Sequence, residues 1–209
     1  APECANIVEL VAYEEAGKKM AKNLSPQTLT LLAHNRDWNG HTYGFHENYL
    51  TVAGRTQWTN LVPLLIARSI LDSTGHQGLD GSFELSQRAQ YMDGATGGDT
   101  PLSRTFITSR NESHVDIGGY DRLHLICGHT HMGQMPLFLS AGLILLGIDL
   151  LENDHLPDIT YDMSFAVKDA QAISQQTSNW KMEGMKKGPQ DVVDLLLLYH
   201  HLAKKHCWD

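Results

Sequence analysis

One strand-forming segment constrains this chain more than any other, because polar and apolar side chains alternate along it. Across residues 43–50 (YGFHENYL), the period of two separates Gly44, His46, Asn48 and Leu50 from Phe45, Glu47 and Tyr49. The first face therefore presents an imidazole and a carboxamide beside a glycine, which leaves room for a ligand close to the backbone. The pattern predicts either a ligand-binding strand or an edge strand whose polar face meets water.

A second segment repeats this arrangement. Alternation in residues 120–128 (YDRLHLICG) places Arg122, His124 and Ile126 on one face. A histidine among apolar neighbours is usually a core residue. Here an arginine shares its face, and a buried guanidinium requires an anionic partner such as a carboxylate or a phosphate.

Two further predicted strands each contribute an arginine. Residues 82–89 place Arg88 on a face with Glu84 and Ser86, and residues 104–110 end at Arg110. A sheet built from these strands would hold a divalent cation through imidazole nitrogens, beside anionic oxygens bound by guanidinium groups. That pairing is the one that phosphoryl-transfer chemistry uses.

Five motifs, in order along the chain, resemble one known family. They are APEC at 1–4, YGFHENYL at 43–50, LSQR at 85–88, SRNESHVD at 109–116 and YDRLH at 120–124. Over roughly residues 1–152 the chain resembles the enzymes of the prokaryotic ubiquitin-like protein Pup, a branch of the glutamine synthetase superfamily. That branch contains a ligase that joins Pup to substrate lysines and a depupylase/deamidase that hydrolyses the linkage. The segments at 1–4, 83–88 and 148–152 resemble the depupylase more closely, and the loop at 92–102 lacks a stretch typical of the ligase.

The resemblance implies an α+β fold, in which helices pack on a curved antiparallel sheet that binds ATP and Mg²⁺. It implies metal-ligand roles for His46 and His124, and nucleotide-binding roles for Arg88, Arg110, Arg122 and Asn48. The paired glutamates, the catalytic aspartate and a further metal-binding glutamate of the family precede the part that this sequence matches. We therefore expect residues 1–209 to be the central part of a catalytic domain whose catalytic residues and C-terminal region lie elsewhere. Other segments or chains would complete the fold.

Two alternatives stay open. The motif Gly128-His129-Thr130-His131 resembles the last metal motif of calcineurin-like metallophosphoesterases, since two imidazoles at a strand end can bind a dinuclear centre. The other three motifs of that family do not occur in this sequence, which makes this reading the weaker one. The second alternative is a degenerate glutamine synthetase-like protein that binds a partner without catalysis.

The composition limits the classes of binding partner and the cellular compartment that are expected for this chain. A net charge of −8 and a pI near 5.8 argue against nonspecific nucleic-acid binding. A Pup-like protein and its conjugates are the partners that the resemblance implies, and a polyanionic partner of this kind would need a local basic patch on the chain. The three cysteines are widely spaced and lack a Cys-x-x-Cys motif, which predicts reduced thiols in the cytoplasm. No signal peptide is present. The apolar segment 135–151 is shorter than the ~20 residues that cross a bilayer, and it predicts a core helix packed on the sheet.

Hydrophobic periodicity predicts the remaining elements. Helices are expected at 6–24, at 58–71 with an interruption or start at Pro63, and at 191–206. A strand is expected at 28–33, and glycine-rich loops at 72–81 and 93–101. In the last helix the residues expected to be largely buried are Val192, Val193, Leu196, Leu197 and Tyr199, while His200, His201 and His206 are expected on a solvated face.

Overall fold

The computed structural model describes residues 15–24, 34–78, 80–98, 103–110, 118–131, 133–176 and 179–207. The predicted strand at 28–33 and the first part of the helix predicted at 6–24 lie outside the described residues. Within that helix, 15–24 is helical and largely exposed, as expected for a surface helix. We label it α1.

The described elements follow in chain order. They are β1 (Glu47–Thr51), a 3₁₀ helix (Arg55–Leu61), α2 (Val62–Asp72), β2 (His76–Gln77), β3 (Phe83–Glu84), a 3₁₀ turn (Ala89–Tyr91), β4 (Gly94–Gly97), β5 (Thr105–Thr108), β6 (Asp121–Leu125), α3 (Gln134–Glu152), β7 (Thr160–Tyr161), a 3₁₀ turn (Met163–Phe165), α4 (Ala166–Ser174), β8 (Met185–Lys187) and α5 (Val192–His206).

The main sheet has the strand order β1-β6-β5-β4. Pairing of β1 with β6 and of β6 with β5 is antiparallel, whereas β4 runs parallel to β5. Helix α2 lies against β5 and against all three other core helices, and it contributes the most deeply buried side chains of the core. The α+β fold class expected from the sequence is confirmed, with the parallel strand as an addition.

The parallel strand corrects the prediction of a glycine-rich loop at 93–101. A Cβ atom on Gly97 would lie 2.9 Å from the Thr105 side chain, and one on Gly94 would lie 3.3 Å from it. The glycines therefore allow β4 to approach β5 closely, and they mark tight strand pairing here instead of a flexible connector.

The predicted strand at 82–89 is wrong beyond Glu84. The Ser86 hydroxyl accepts hydrogen bonds from the backbone N–H groups of Arg88 and Ala89, which turns the chain into a 3₁₀ helix. A local side-chain acceptor of this kind competes with the strand ladder for backbone donors. Arg88 therefore begins a turn and does not occupy a strand face.

Helix α2 begins where the sequence predicted an interruption, with Pro63 in its first turn, where the missing N–H costs nothing. Helix α3 confirms the segment predicted at 135–151. Its 19 residues have the length and apolar composition of a bilayer-spanning helix. The prediction that this segment is too short to cross a bilayer is therefore wrong as an argument from length. Its main contacts are with α2 and α5 instead of with the sheet, and Gly147 brings it against Leu64. That packing is typical of a core helix.

Helix α5 is confirmed, but its predicted buried face is partly wrong. Val193 is 39% exposed and Leu197 is 59% exposed. The buried stripe is Val192, Leu195, Tyr199 and Ala203, which follows the helical repeat of 3.6 residues. The prediction placed too many adjacent residues on one face. His200, His201 and His206 are exposed, as expected.

Candidate functional site

The two histidines singled out in the sequence meet at the end of the β1–β6 pair. Nδ1 of His46 lies 2.8 Å from Nε2 of His124. Asn48 is the ladder partner of His124, so His46 precedes the paired part of β1 by one residue. His46 is exposed and His124 is only 8% exposed. The alternation of both strands thus brings the two rings to the same face of the sheet.

Three further predicted site residues, Asn48, Arg122 and Arg110, lie on the same strands or follow a neighbouring one. Arg122 donates a hydrogen bond from Nη1 to the side-chain oxygen of Asn48 over 3.1 Å. Arg110 is exposed and follows β5 by two residues, and the last residue of β5, Thr108, pairs with His124. Five of the six site residues predicted from sequence therefore lie on, or at the end of, three neighbouring strands.

The surroundings hold both imidazoles in the neutral form. Burial, with the neighbouring His46 ring and the charge of Arg122, lowers the pKa of His124 to about 4. Desolvation and the charges of Arg88 and Arg122 also lower the pKa of His46. Neutral imidazoles keep a lone pair for a metal ion near pH 7. The two facing nitrogens share one proton in their hydrogen bond, and the pair can act as two nitrogen ligands when a cation replaces that proton.

The geometry of the pair fits part of a metal site. Two nitrogens that each lie ~2.1 Å from one cation at right angles to one another are about 3.0 Å apart, close to the observed spacing. Among the described residues, however, no group of three or more His, Cys, Asp or Glu side chains can hold a metal ion. Mg²⁺ prefers oxygen ligands, so a magnesium site here would need carboxylates from outside the described residues.

Arg88, the sixth predicted site residue, is buried behind this face. It is 3% exposed, and burial lowers the pKa of its guanidinium. Nη1 donates to the Thr42 hydroxyl and the Tyr43 carbonyl, and Nη2 donates to the Ile126 carbonyl. No described carboxylate forms an ion pair with it. Its predicted contact with nucleotide phosphate stays a prediction, and its present partners are all protein oxygens.

A buried ionic network supports the strand from the opposite side. Arg68 on α2 binds both oxygens of Glu47, at 2.8 and 3.0 Å, and its Nε lies 3.0 Å from Asp72. Glu47 also accepts a hydrogen bond from the Tyr49 hydroxyl, and Asp72 accepts one from Ser140. Glu47 lies between His46 and Asn48 in the chain. Because its carboxylate is bound by Arg68 on one face of β1, the His46 side chain is directed to the other face.

Arg68 was not predicted as part of the site, although the sequence contains a signal for it. Arg68 is the only charged residue between Val62 and Leu71, in a segment that reads as a buried helix. A cation in such a position needs a buried carboxylate. Glu47, which alternation places on the strand face opposite His46, was one of several acidic residues that could serve as this partner.

The two histidines of the Gly-His-Thr-His motif are also buried, each 3% exposed. His129 bonds the Ser86 hydroxyl through Nε2 at 2.7 Å, and its Nδ1 lies 3.6 Å from Asp72. His131 packs edge-on against Phe45. The set Ser86, His129 and Asp72 has the composition of a hydrolase triad, yet it is closed to solvent and Ser86 already accepts two backbone N–H groups. The described surroundings therefore favour a structural role over a dinuclear metal centre.

Cys127 is buried and forms no disulfide with another described residue. Burial raises the pKa of the Cys127 thiol to about 12, which keeps it protonated and unreactive. Cys4 lies outside the described residues.

The fold and site together define a protein of the glutamine synthetase-like class, with a histidine- and arginine-bearing sheet face. The sequence matches the Pup-ligase protein family over residues 1–208, and the chain belongs to that family. This confirms the resemblance drawn from the five motifs.

Individual relatives carry both activities in their names. The chain is 33% identical to a Pup deamidase/depupylase of Mycobacterium tuberculosis (strain ATCC 25618 / H37Rv), over 85% of this chain and 39% of that protein. It is 33% identical to a Pup–protein ligase of Acidimicrobium ferrooxidans, over 77% of this chain and 40% of that protein. The chain thus spans about 40% of the length of these relatives.

Two solved structures share the fold. The Pup ligase PafA in complex with ADP superposes with a TM-score of 0.76 at 24% identity, over 95% of this chain and 48% of that chain. The complex of Pup with PafA gives the same TM-score at 25% identity, over 95% of this chain and 44% of that chain.

Proposed function

We propose that the protein containing this chain is an ATP- and Mg²⁺-dependent depupylase/deamidase. It would hydrolyse the isopeptide bond between a Pup-like protein and its target, or the amide of a terminal glutamine of Pup. The observation that carries this proposal is the meeting of His46 and His124 beside the Asn48–Arg122 pair, on one sheet face of a Pup-ligase family fold.

Each residue of this face has a specific part in the proposal. His46 and His124 provide nitrogen ligands for a divalent cation, which would neutralise phosphate charge when bound. Arg122 and Arg110 bind anionic oxygens, and Asn48 orients the Arg122 guanidinium through its side-chain oxygen. The carboxylate ligands and the catalytic aspartate are proposed to come from segments outside this chain.

The second candidate is a Pup–protein ligase, and a specific observation supports it. Relatives named as ligases and as depupylases match this chain at the same 33% identity. Our preference for the hydrolase rests on the sequence at 1–4, 83–88 and 148–152. Chemically the two enzymes differ in what attacks the activated carbonyl: the hydrolase admits water, and the ligase admits a lysine amine.

The test uses the full-length enzyme with ATP and Mg²⁺ in two parallel reactions. One contains an isopeptide-linked conjugate of Pup, and the other contains free Pup with a lysine-bearing target. Release of the target supports the depupylase. Conjugation without cleavage would identify the ligase, and activity in neither reaction would favour the non-catalytic alternative.

The same proposal predicts a partner protein, a cellular compartment and the sequence that should precede this chain. The partner is a Pup-like protein, as in the solved complex of PafA with Pup. We propose the cytoplasm as its location, because three widely spaced cysteines without a Cys-x-x-Cys motif predict reduced thiols. The two glutamates and the aspartate should appear in the sequence that precedes this chain, and their absence would contradict a catalytic role.

A further inference from the structure

The guanidinium group of Arg88 contacts the chain beside both histidines. Nη1 bonds the Thr42 hydroxyl at 2.7 Å and the Tyr43 carbonyl at 3.2 Å. Nη2 bonds the Ile126 carbonyl at 3.2 Å. Tyr43 precedes His46 by three residues, and Ile126 follows His124 by two. One side chain therefore joins the two segments that carry the pair.

These contacts lie beyond the end of the strand ladder. The β1–β6 pairing ends at Glu47 opposite Leu125, so His46 has no ladder partner of its own. Asn35 makes a second link farther along, because its side chain bonds both the Tyr43 carbonyl and Thr130. Loss of Arg88 should therefore loosen this end of the sheet without unfolding it.

Arg88 is itself held in place from behind. Ser86 accepts the backbone N–H of Arg88 and bonds His129 through its hydroxyl, while the Ser86 backbone pairs with Ser174 on α4. The guanidinium group is thus fixed before any ligand binds. A preorganised side chain of this kind transmits its position to the groups that it contacts.

The enclosed space at Nε of Arg88 is small. Both terminal nitrogens are used on protein oxygens. The remaining nitrogen, Nε, belongs to a side chain that lines a cavity of about 20 Å³ together with Asp72 and His129. That volume admits a single water molecule and is too small for a phosphate group.

We propose that Arg88 is a positioning residue, which sets the spacing of His46 and His124 by bonding the Tyr43 and Ile126 carbonyls. The claim that this spacing matters for a metal ion rests on the proposed function. The claim that Arg88 links the two segments rests on its hydrogen bonds alone and is independent of the proposed function. The planar fork of arginine spans three acceptors in fixed directions, and the single ammonium group of lysine does not replace it.

The first test measures the link alone. In the full-length enzyme without metal or nucleotide, Arg88→Met and Arg88→Lys are compared with wild type by hydrogen exchange and mass spectrometry. Peptides covering 42–47 and 124–128 should both exchange at least about tenfold faster in each variant, while α5 exchanges at the wild-type rate. The matched control is Arg104→Met, which removes an exposed arginine. Wild-type exchange in both peptides of Arg88→Met would overturn the proposal.

The second test measures the consequence for the histidine pair, with Mn²⁺ alone as the probe. Arg88→Met should weaken Mn²⁺ binding at least about tenfold and reduce the imidazole nitrogen couplings in the electron paramagnetic resonance spectrum. Adding Arg88→Met to His46→Ala should cause little further loss, because both act on one site. Unchanged Mn²⁺ binding in Arg88→Met alone would contradict a positioning role. Unchanged binding in His46→Ala would instead refute the metal assignment of the proposed function, and hydrogen exchange would still decide the role of Arg88.

Discussion

His46 and His124 lie 78 residues apart in the chain, yet their rings are joined by a 2.8 Å contact between nitrogens. Strand register alone accounts for only part of this meeting. The ladder places Asn48 opposite His124, and His46 reaches its partner from just beyond the ladder's end. The contact therefore depends on how the chain before β1 is held, which is why residues behind the sheet matter for the site in front.

The first prediction concerns the metal role of this pair. In the full-length enzyme, His46→Ala should lower the affinity for ATP at limiting Mg²⁺ at least about tenfold, because one nitrogen ligand is lost. Isothermal titration calorimetry at a fixed low Mg²⁺ concentration measures the change. His201→Ala, on the exposed face of α5, is the matched control and should bind as wild type does. Unchanged affinity in His46→Ala would remove this residue from the metal site.

The sequence predicted correctly which side chains share a face of the sheet, because strand alternation is a local property. A period of two determines which face of the sheet is occupied by the side chains of His46, Asn48, Arg122 and His124. This assignment requires no knowledge of contacts with distant parts of the chain. The same argument failed for residues 85–88, where the Ser86 hydroxyl captures backbone donors. It also failed for β4, since glycine composition does not distinguish a loop from a closely packed strand.

The buried network was harder to predict for a different reason. The partner of Arg68 depends on how α2 packs against β1, and Glu47 lies 21 residues away along the chain. Sequence alone indicates that Arg68 needs a carboxylate, but several acidic residues are available. Only the packing of the helix on the sheet selects Glu47 and Asp72.

The second prediction concerns that network. Arg68→Met in the full-length protein should lower the free energy of unfolding by about 3–5 kcal/mol, because two buried carboxylates lose their cation. Urea denaturation measures the loss. Arg55→Met, which breaks the exposed pair with Asp121, should cost at most about 1 kcal/mol. Adding Glu47→Leu to Arg68→Met should recover part of the loss, and no recovery would contradict this account.

The third prediction concerns the pH dependence of stability. Burial alone would raise the pKa of Asp72, but the charge of Arg68, the neighbouring His129 ring and a hydrogen bond from the Ser140 hydroxyl outweigh it, lowering the pKa from 3.8 to about 2. A carboxyl whose pKa is lower in the folded state stabilises that state above its unfolded pKa, and this contribution is lost as the pH falls toward the folded pKa. The difference in unfolding free energy between wild type and Asp72→Asn should therefore shrink by about 2 kcal/mol from about pH 5 to about pH 2. A constant difference over this range would contradict the assignment.

The last prediction compares one substitution at two glycines. A Cβ atom on Gly128 would lie 2.0 Å from Oε1 of Glu47 and 2.8 Å from the Phe45 ring. Gly128→Ala must therefore displace the carboxylate from Arg68, and it should lower the free energy of unfolding by about 1–3 kcal/mol. At Gly17, within α1, no described atom outside the helix's own backbone lies within 4 Å of the same position. Gly17→Ala should raise stability by about 0.5–1 kcal/mol, because alanine loses less backbone entropy in a helix. Urea denaturation of both variants measures the two effects, and a neutral Gly128→Ala would show that the Glu47 carboxylate is not held where Arg68 binds it.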